Sequence, residues 1–138
     1  MNYYIVIFSI IIIIISYLFY IYNQREILGF HYLINIENID PTNRYLNNNN
    51  ELKILCNKII KLGNLNVVNF SDYKFSPQGY TLVYLLSESH LSLHTWPEKN
   101  LIMMDLYCCN KKLKFQPIQN LLYKTFPKST ITINKISR

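Results

Sequence analysis

The sequence predicts an α+β fold, a two-layer sandwich in which an antiparallel sheet carries helices on one face, preceded by a single N-terminal transmembrane helix. Three observations predict it. Residues 3–22 are an apolar and aromatic run interrupted only by Ser9 and Ser16, without one charge. Beyond it, short β-prone segments follow one another through brief turns, as antiparallel neighbours do. Two longer segments, 51–62 and 117–126, place apolar residues at helical spacing instead.

The first run is long enough to cross a bilayer, because a helix of about 20 residues rises roughly 30 Å. A soluble core is a poor home for it, since the remaining domain of about 110 residues cannot wrap a helix that is apolar on every side. A cleaved signal peptide fits poorly too: no basic segment precedes the run, and the chain contains no alanine for a small-residue cleavage site. The expectation is a single-pass membrane protein. Arg25, Arg44, Lys53, Lys58 and Lys61 all follow the span, and the positive-inside tendency then puts the C-terminal domain in the cytosol. Residues 23–27 read as a juxtamembrane link and 28–138 as the folded domain.

Within that domain, residues 30–36 are a strand candidate, rich in apolar and aromatic side chains. The polar tract 47–50 is a loop whose last residue, Asn50, caps a helix over 51–62. Leu52, Leu55, Cys56, Ile59 and Ile60 form its buried stripe, and Gly63 is its stop signal. Residues 66–70, 80–87, 91–96 and 101–109 read as strands, punctuated by Pro77, Gly79, Pro97 and Asn100. A second helix fits 117–126, with Pro117 in its first turn and Ile118, Leu121, Leu122 and Phe126 inward. Pro127 ends it, and residues 129–136 alternate as a last strand.

Composition narrows the partners. The net charge of +6 arises after the span, and Lys111, Lys112 and Lys114 are its densest cluster. Beside a membrane anchor such a cluster suits an anionic lipid surface. No motif supports nucleic-acid binding. Three cysteines, two of them adjacent, do not make a disulfide framework, and reduced thiols suit a cytosolic domain.

Reactive side chains concentrate between Ser87 and Cys109: Glu88, Ser89, His90, His94, Glu98 and the two cysteines. Metal binding by His90 and His94 requires a helix. The alternation of Leu91 and Leu93 ahead of Thr95 and Trp96 argues for a strand, which separates the two rings by roughly 13 Å. A serine hydrolase is also disfavoured, since Ser89 lacks the G-x-S-x-G elbow and neither histidine has a clear Asp partner. No metal site is expected.

The order Lys74-Phe75-Ser76-Pro77-Gln78-Gly79, Ser87-Glu88-Ser89-His90, His94-Thr95-Trp96-Pro97-Glu98, then Asp105 and Cys109, resembles the prokaryotic-type S-adenosylmethionine decarboxylases. The likeness runs from about Leu28 to the C-terminus. It implies a two-layer α+β domain, a homodimer, and a proenzyme that cuts itself between Glu88 and Ser89. Ser89 would attack the carbonyl of Glu88, and β-elimination would then leave residue 89 as an N-terminal pyruvoyl cofactor. That group holds the substrate amine as a Schiff base and accepts the electrons freed with carbon dioxide. His94 matches the family's processing base. Thr81 matches a serine that stabilises the cyclic intermediate; it keeps the hydroxyl and adds a methyl group. Cys109 matches the proton donor of turnover, and strand alternation puts it on the side of Asp105 and Tyr107, with the structural Cys108 opposite. Phe75 matches an aromatic that stacks on adenine, and Glu98 a carboxylate that binds the ribose hydroxyls. Lys99, Asn100 and Asn110 depart from the family at turn positions.

The resemblance thus implies decarboxylation of S-adenosylmethionine for spermidine synthesis. Two alternatives stand beside it. Pyruvoyl relatives act on arginine or ornithine, and retention of Phe75 and Glu98 favours the nucleoside substrate. A non-catalytic paralogue regulating a partner decarboxylase is suggested by Thr81 and the anchor, and opposed by the full set Glu88, Ser89, His94 and Cys109.

Overall fold

The computed structural model describes residues 3–23, 26–110 and 112–138; Arg25 and Lys111 lie outside the described residues. The first helix, α1 (Tyr3–Asn23), is exposed from Tyr3 to Tyr22, a stretch long and apolar enough to cross a membrane. The domain follows as β1 (Phe30–Glu37), α2 (Arg44–Asn47), α3 (Asn49–Gly63), β2 (Val67–Lys74), β3 (Tyr80–Leu86), β4 (Ser89–Trp96), a 3-10 turn at Pro97–Lys99, β5 (Leu101–Cys108), α4 (Gln116–Thr125) and β6 (Thr130–Ser137).

The six strands form one sheet in the order β2-β3-β4-β5-β1-β6, with every neighbouring pair antiparallel. Strand alternation sorts its side chains. Tyr32, Ile34, Ile36, Leu82, Tyr84, Leu91, Leu93, Ile102, Met104 and Leu106 are buried together with the inner faces of α3 and α4. Each buried Leu or Ile contributes about 1.5–3 kcal/mol of hydrophobic stabilisation, enough to specify which face the helices cover. The opposite face carries His31, Leu33, Thr81, Val83, Leu85, His90, Ser92, His94, Met103, Asp105 and Tyr107, and among the described residues no helix of the domain covers it.

The helix stripe Leu52, Leu55, Cys56, Ile59 and Ile60 is buried as its spacing predicts. Its ends differ from the sequence expectation. Asn48 is the cap: its side chain accepts from the N–H groups of Asn50 and Glu51, so α3 begins before Asn50. At the other end Asn64, at φ +51°, takes the left-handed position, while Gly63 is still helical. Gly63 is there for space, since a Cβ would stand 3.0 Å from Leu65 and 3.1 Å from Leu113. The short α2 had no periodic signal. β2 runs on past Phe70 to Lys74; it is an exposed edge strand, and its polar residues Ser71, Asp72 and Lys74 disguised it.

On the helix side, Lys53 Nζ lies 2.7 Å from Asp72 Oδ2, and the Tyr80 hydroxyl donates to the same carboxylate. This ties α3 to the edge of the sheet. The hydrogen bonds from Lys53 and Tyr80 outweigh burial and hold the Asp72 carboxyl below its usual range.

Candidate active site

The β3–β4 hairpin positions most of the predicted site. Leu86 pairs with Ser89, leaving Ser87 and Glu88 as a two-residue turn. Hairpin turns of this length favour positive φ at their central residues, because that twist matches the strands. Here neither central residue adopts it, and the positive φ falls on Ser89 instead, at +148°. This backbone region costs a non-glycine residue about 1–3 kcal/mol. The strain sits on the Glu88–Ser89 peptide.

That peptide is also held from three sides. The Glu88 carbonyl accepts from the Cys109 N–H at 3.0 Å. The Glu88 carboxylate accepts from the Asn66 N–H at 3.1 Å and from the Asn66 side chain at 2.8 Å. Partial burial raises its pKa, but those donors and the Ser87 hydroxyl prevail and hold it below the ordinary carboxylate range. The Ser87 N–H donates to the Asn66 carbonyl at 2.9 Å. Cys109 is exposed, and hydrogen bonding with its side chain, with burial second, raises the Tyr107 phenol pKa. Cys108 is buried, which raises its pKa and marks it as core. An N–H aimed at the Glu88 carbonyl can steady negative charge on that oxygen, as an oxyanion hole does.

A second group lies at the other end of the same hairpin. Thr81 and His94 face each other across β3 and β4, with Oγ1 2.8 Å from Nδ1. They line a cleft of about 340 Å³ with Phe75, Gln78, Gly79, Thr95, Trp96 and Glu98. Gly79 at φ +100° turns the loop that carries Phe75 into β3. Phe75 is half exposed, with Tyr73 edge-on at a ring distance of 4.9 Å. The Gln78 amide donates to Glu98 Oε2 at 3.4 Å. An exposed ring, an indole and a carboxylate around one opening suit a flat, cationic guest.

Proximity in sequence is not proximity in space along this strand. Ser89 and His94 do not meet within the chain: five residues of strand separate them by about 16 Å. Glu88, Ser89 and Cys109 form one group, and Phe75, Thr81, His94 and Glu98 another. Sequence reasoning gave no role to the polar residues between them. His31 Nε2 is buried 3.5 Å from Asp105 Oδ1, an ion pair when the ring is protonated, and Ser92 donates to Asp105 Oδ2 at 3.3 Å. His90 packs against His31 and Tyr107 at ring distances of 6.1 and 5.9 Å. Alternation along 101–109 places Asp105 and Tyr107 beside Cys109, the one signal in the sequence for this cluster.

Comparison with known proteins identifies the family. A model of the S-adenosylmethionine decarboxylase family matches residues 30–138. The S-adenosylmethionine decarboxylase proenzyme of Thermococcus gammatolerans is 32% identical over 116 residues, covering 84% of this chain and 80% of that protein. That of Thermococcus kodakarensis is 32% identical over 115 residues, covering 83% and 79%. The crystal structure of the adenosylmethionine decarboxylase from Aquifex aeolicus superposes with a TM-score of 0.71 at 28% identity, over 82% of this chain and 92% of that one. The chain belongs to the S-adenosylmethionine decarboxylase family.

Proposed function

We propose that the chain is a proenzyme that cleaves itself between Glu88 and Ser89 and then decarboxylates S-adenosylmethionine, the reaction that supplies aminopropyl groups for spermidine. The observation that carries the processing step is the Glu88–Ser89 peptide itself. It is strained at Ser89, and its carbonyl is bonded by the Cys109 N–H at 3.0 Å. Attack by Ser89 Oγ on the Glu88 carbonyl carbon converts the amide to an ester. Loss of the Cα proton of residue 89 expels the Glu88 carboxylate. The resulting enamine takes up water and releases ammonia, leaving residue 89 as a pyruvoyl group. The residues present fit that cofactor: a serine at the scissile turn, a donor on the carbonyl, and an exposed thiol beside it.

The pyruvoyl group supplies a ketone that takes the substrate amine and the electrons released with carbon dioxide. The chain's own residues do the rest. Cys109, next to the register partner of Ser89, holds a proton at Sγ for the carbon left after carbon dioxide departs. Phe75 stacks on the adenine, Glu98 holds the ribose hydroxyls, and its charge favours a sulfonium. His94 is the processing base, with Thr81 bonded to its Nδ1.

Because Ser89 and His94 stand about 16 Å apart on one strand, we assign them to one site only across a homodimer. The uncovered sheet face, with Leu33, Val83, Leu85 and Met103 on it, supports this. Two copies packed through it with strands inverted bring the Ser89 end of one against the His94 end of the other. Residues 3–22 anchor each chain as a single-pass membrane protein, with 28–138 in the cytosol.

Intact mass tests the processing step. The wild type gives a fragment ending at Glu88 and another beginning at residue 89, and Ser89→Ala gives one chain. A wild-type chain still whole after prolonged incubation overturns the proposal. Release of carbon dioxide from S-adenosylmethionine, and not from arginine or ornithine, tests the substrate.

A further inference from the structure

Ser89 and His90 are successive residues of β4, and ordinary strand alternation sends such neighbours to opposite faces. Yet Ser89 Oγ lies 3.3 Å from His90 Nδ1. The φ of +148° at Ser89 takes its backbone out of the extended region and lets the two side chains meet. Among the described residues no other imidazole is hydrogen-bonded to Ser89, and His94 is five residues away.

His90 is also held in place. Its ring stands edge-on to His31 and tilted against Tyr107, and its register partners are Tyr107 on β5 and Leu85 on β3. The titratable groups that face it are His31 from β1 and Tyr107 from β5. Asp105 lies beyond His31 at 3.5 Å from its Nε2, and β3 presents the apolar Leu85. With Nε2 protonated, Nδ1 is a free acceptor directed at the Ser89 hydroxyl.

Self-cleavage requires two different protons to move. One leaves Ser89 Oγ when it attacks, and one leaves Cα of residue 89 when the ester eliminates. We infer that His90 is the base for the first of these, acting within its own chain, which leaves the second to His94 of a second copy. The step balances. The Oγ proton passes to His90 Nδ1, and Oγ bonds to the Glu88 carbonyl carbon while the oxyanion rests on the Cys109 N–H. The C–N bond then breaks, and the nitrogen of residue 89 takes the proton back from His90. The product is an ester with a free amino group, and His90 is neutral again. The contact of 3.3 Å stands just outside the usual reach of about 2.6–3.2 Å, and a small χ1 rotation of the Ser89 side chain closes it.

The inference rests on the self-cleavage proposed above, and hydroxylamine separates the two. It cuts an ester at residue 89 and leaves an amide intact. Full-length wild type, His90→Ala, His90→Gln and His94→Ala are purified in detergent, incubated, treated with hydroxylamine and weighed. The expected result is that His90→Ala and His90→Gln cleave about 100-fold or more slowly than wild type. Both remain hydroxylamine-resistant, and added imidazole restores cleavage of His90→Ala. His94→Ala instead accumulates hydroxylamine-sensitive ester. Wild-type rates in His90→Gln, which keeps a hydrogen-bonding side chain but no base, would overturn the inference. So would hydroxylamine-sensitive ester in His90→Ala. A wild type that never cleaves would overturn self-cleavage and this inference together.

Discussion

Separation of Ser89 from His94 makes a quantitative demand on self-cleavage. A base must come within about 2.6–3.2 Å of the proton it takes, or act through one water, and about 16 Å of strand is far outside that reach. If His94 works on residue 89 of a second copy, two damaged chains should repair each other. The perturbation is co-expression, in equal amounts, of a tagged His94→Ala chain with an untagged Ser89→Ala chain. Random pairing puts about half of each variant into mixed dimers. Each mixed dimer has one complete site, built from Ser89 of the first chain and His94 of the second; its other site lacks both. About half of the His94→Ala chains, or about a quarter of all chains, should therefore be cut. Each variant alone should remain whole over the same period, since loss of a general base costs about 100-fold or more. The assay is intact mass of the detergent-purified mixture, with a tag pull-down to count mixed dimers. Whole His94→Ala chains within captured mixed dimers would refute the trans arrangement. Rapid cleavage of His94→Ala alone would refute it equally.

Three further outcomes follow from the geometry. Ser89→Gly and Ser89→Ala both stay uncleaved, and urea denaturation should find the glycine variant more stable by about 1 kcal/mol, the strain relieved less the backbone entropy of glycine; a more stable alanine variant contradicts the strain at φ +148°. Cys109→Ser keeps the backbone N–H that bonds the Glu88 carbonyl, so fragments should still form by mass, while carbon dioxide release falls about 100-fold or more; a loss of cleavage as well would remove the assigned role. Asp72, bonded by Lys53 and Tyr80, has a folded pKa depressed below its unfolded value, so its contribution is present above the unfolded pKa and lost as pH falls through the folded one. In a Ser89→Ala background, Asp72→Asn should lower the urea midpoint at neutral pH, and that gap should narrow as the pH is taken below about 4; a constant gap would show that the carboxylate charge is not what ties β2 to α3.

Much of the domain was legible before its structure, and the reasons are local. The stripe on α3, the inward set on α4 and the alternation of the strands are consequences of periodicity. A buried face selects them residue by residue. Legibility failed where a local signal was weak or shared. α2 is too short for a period, β2 is an edge strand with charges on it, and Asn48 and Asn64 were hidden in a chain rich in asparagine that offered Asn50 and Gly63 instead.

By itself the sequence determined which chemistry is present: Glu88 before Ser89, His94 five residues on, Cys109 beyond, and the apolar run of 3–22. It also determined which cysteine is core, because adjacent strand residues must face opposite sides. Only the tertiary structure decided who meets whom. Sequence order packs Ser89 and His94 into one short segment, but an extended strand lengthens by about 3.3 Å per residue and sends them to opposite ends of the hairpin. The same strand brings Cys109, distant in sequence, to the Glu88 carbonyl through the register of β4 with β5. The positive φ at Ser89, which turns its hydroxyl to His90, arises from the fit of a two-residue turn to a twisted pair of strands, and no residue type in Ser87-Glu88-Ser89 announces it.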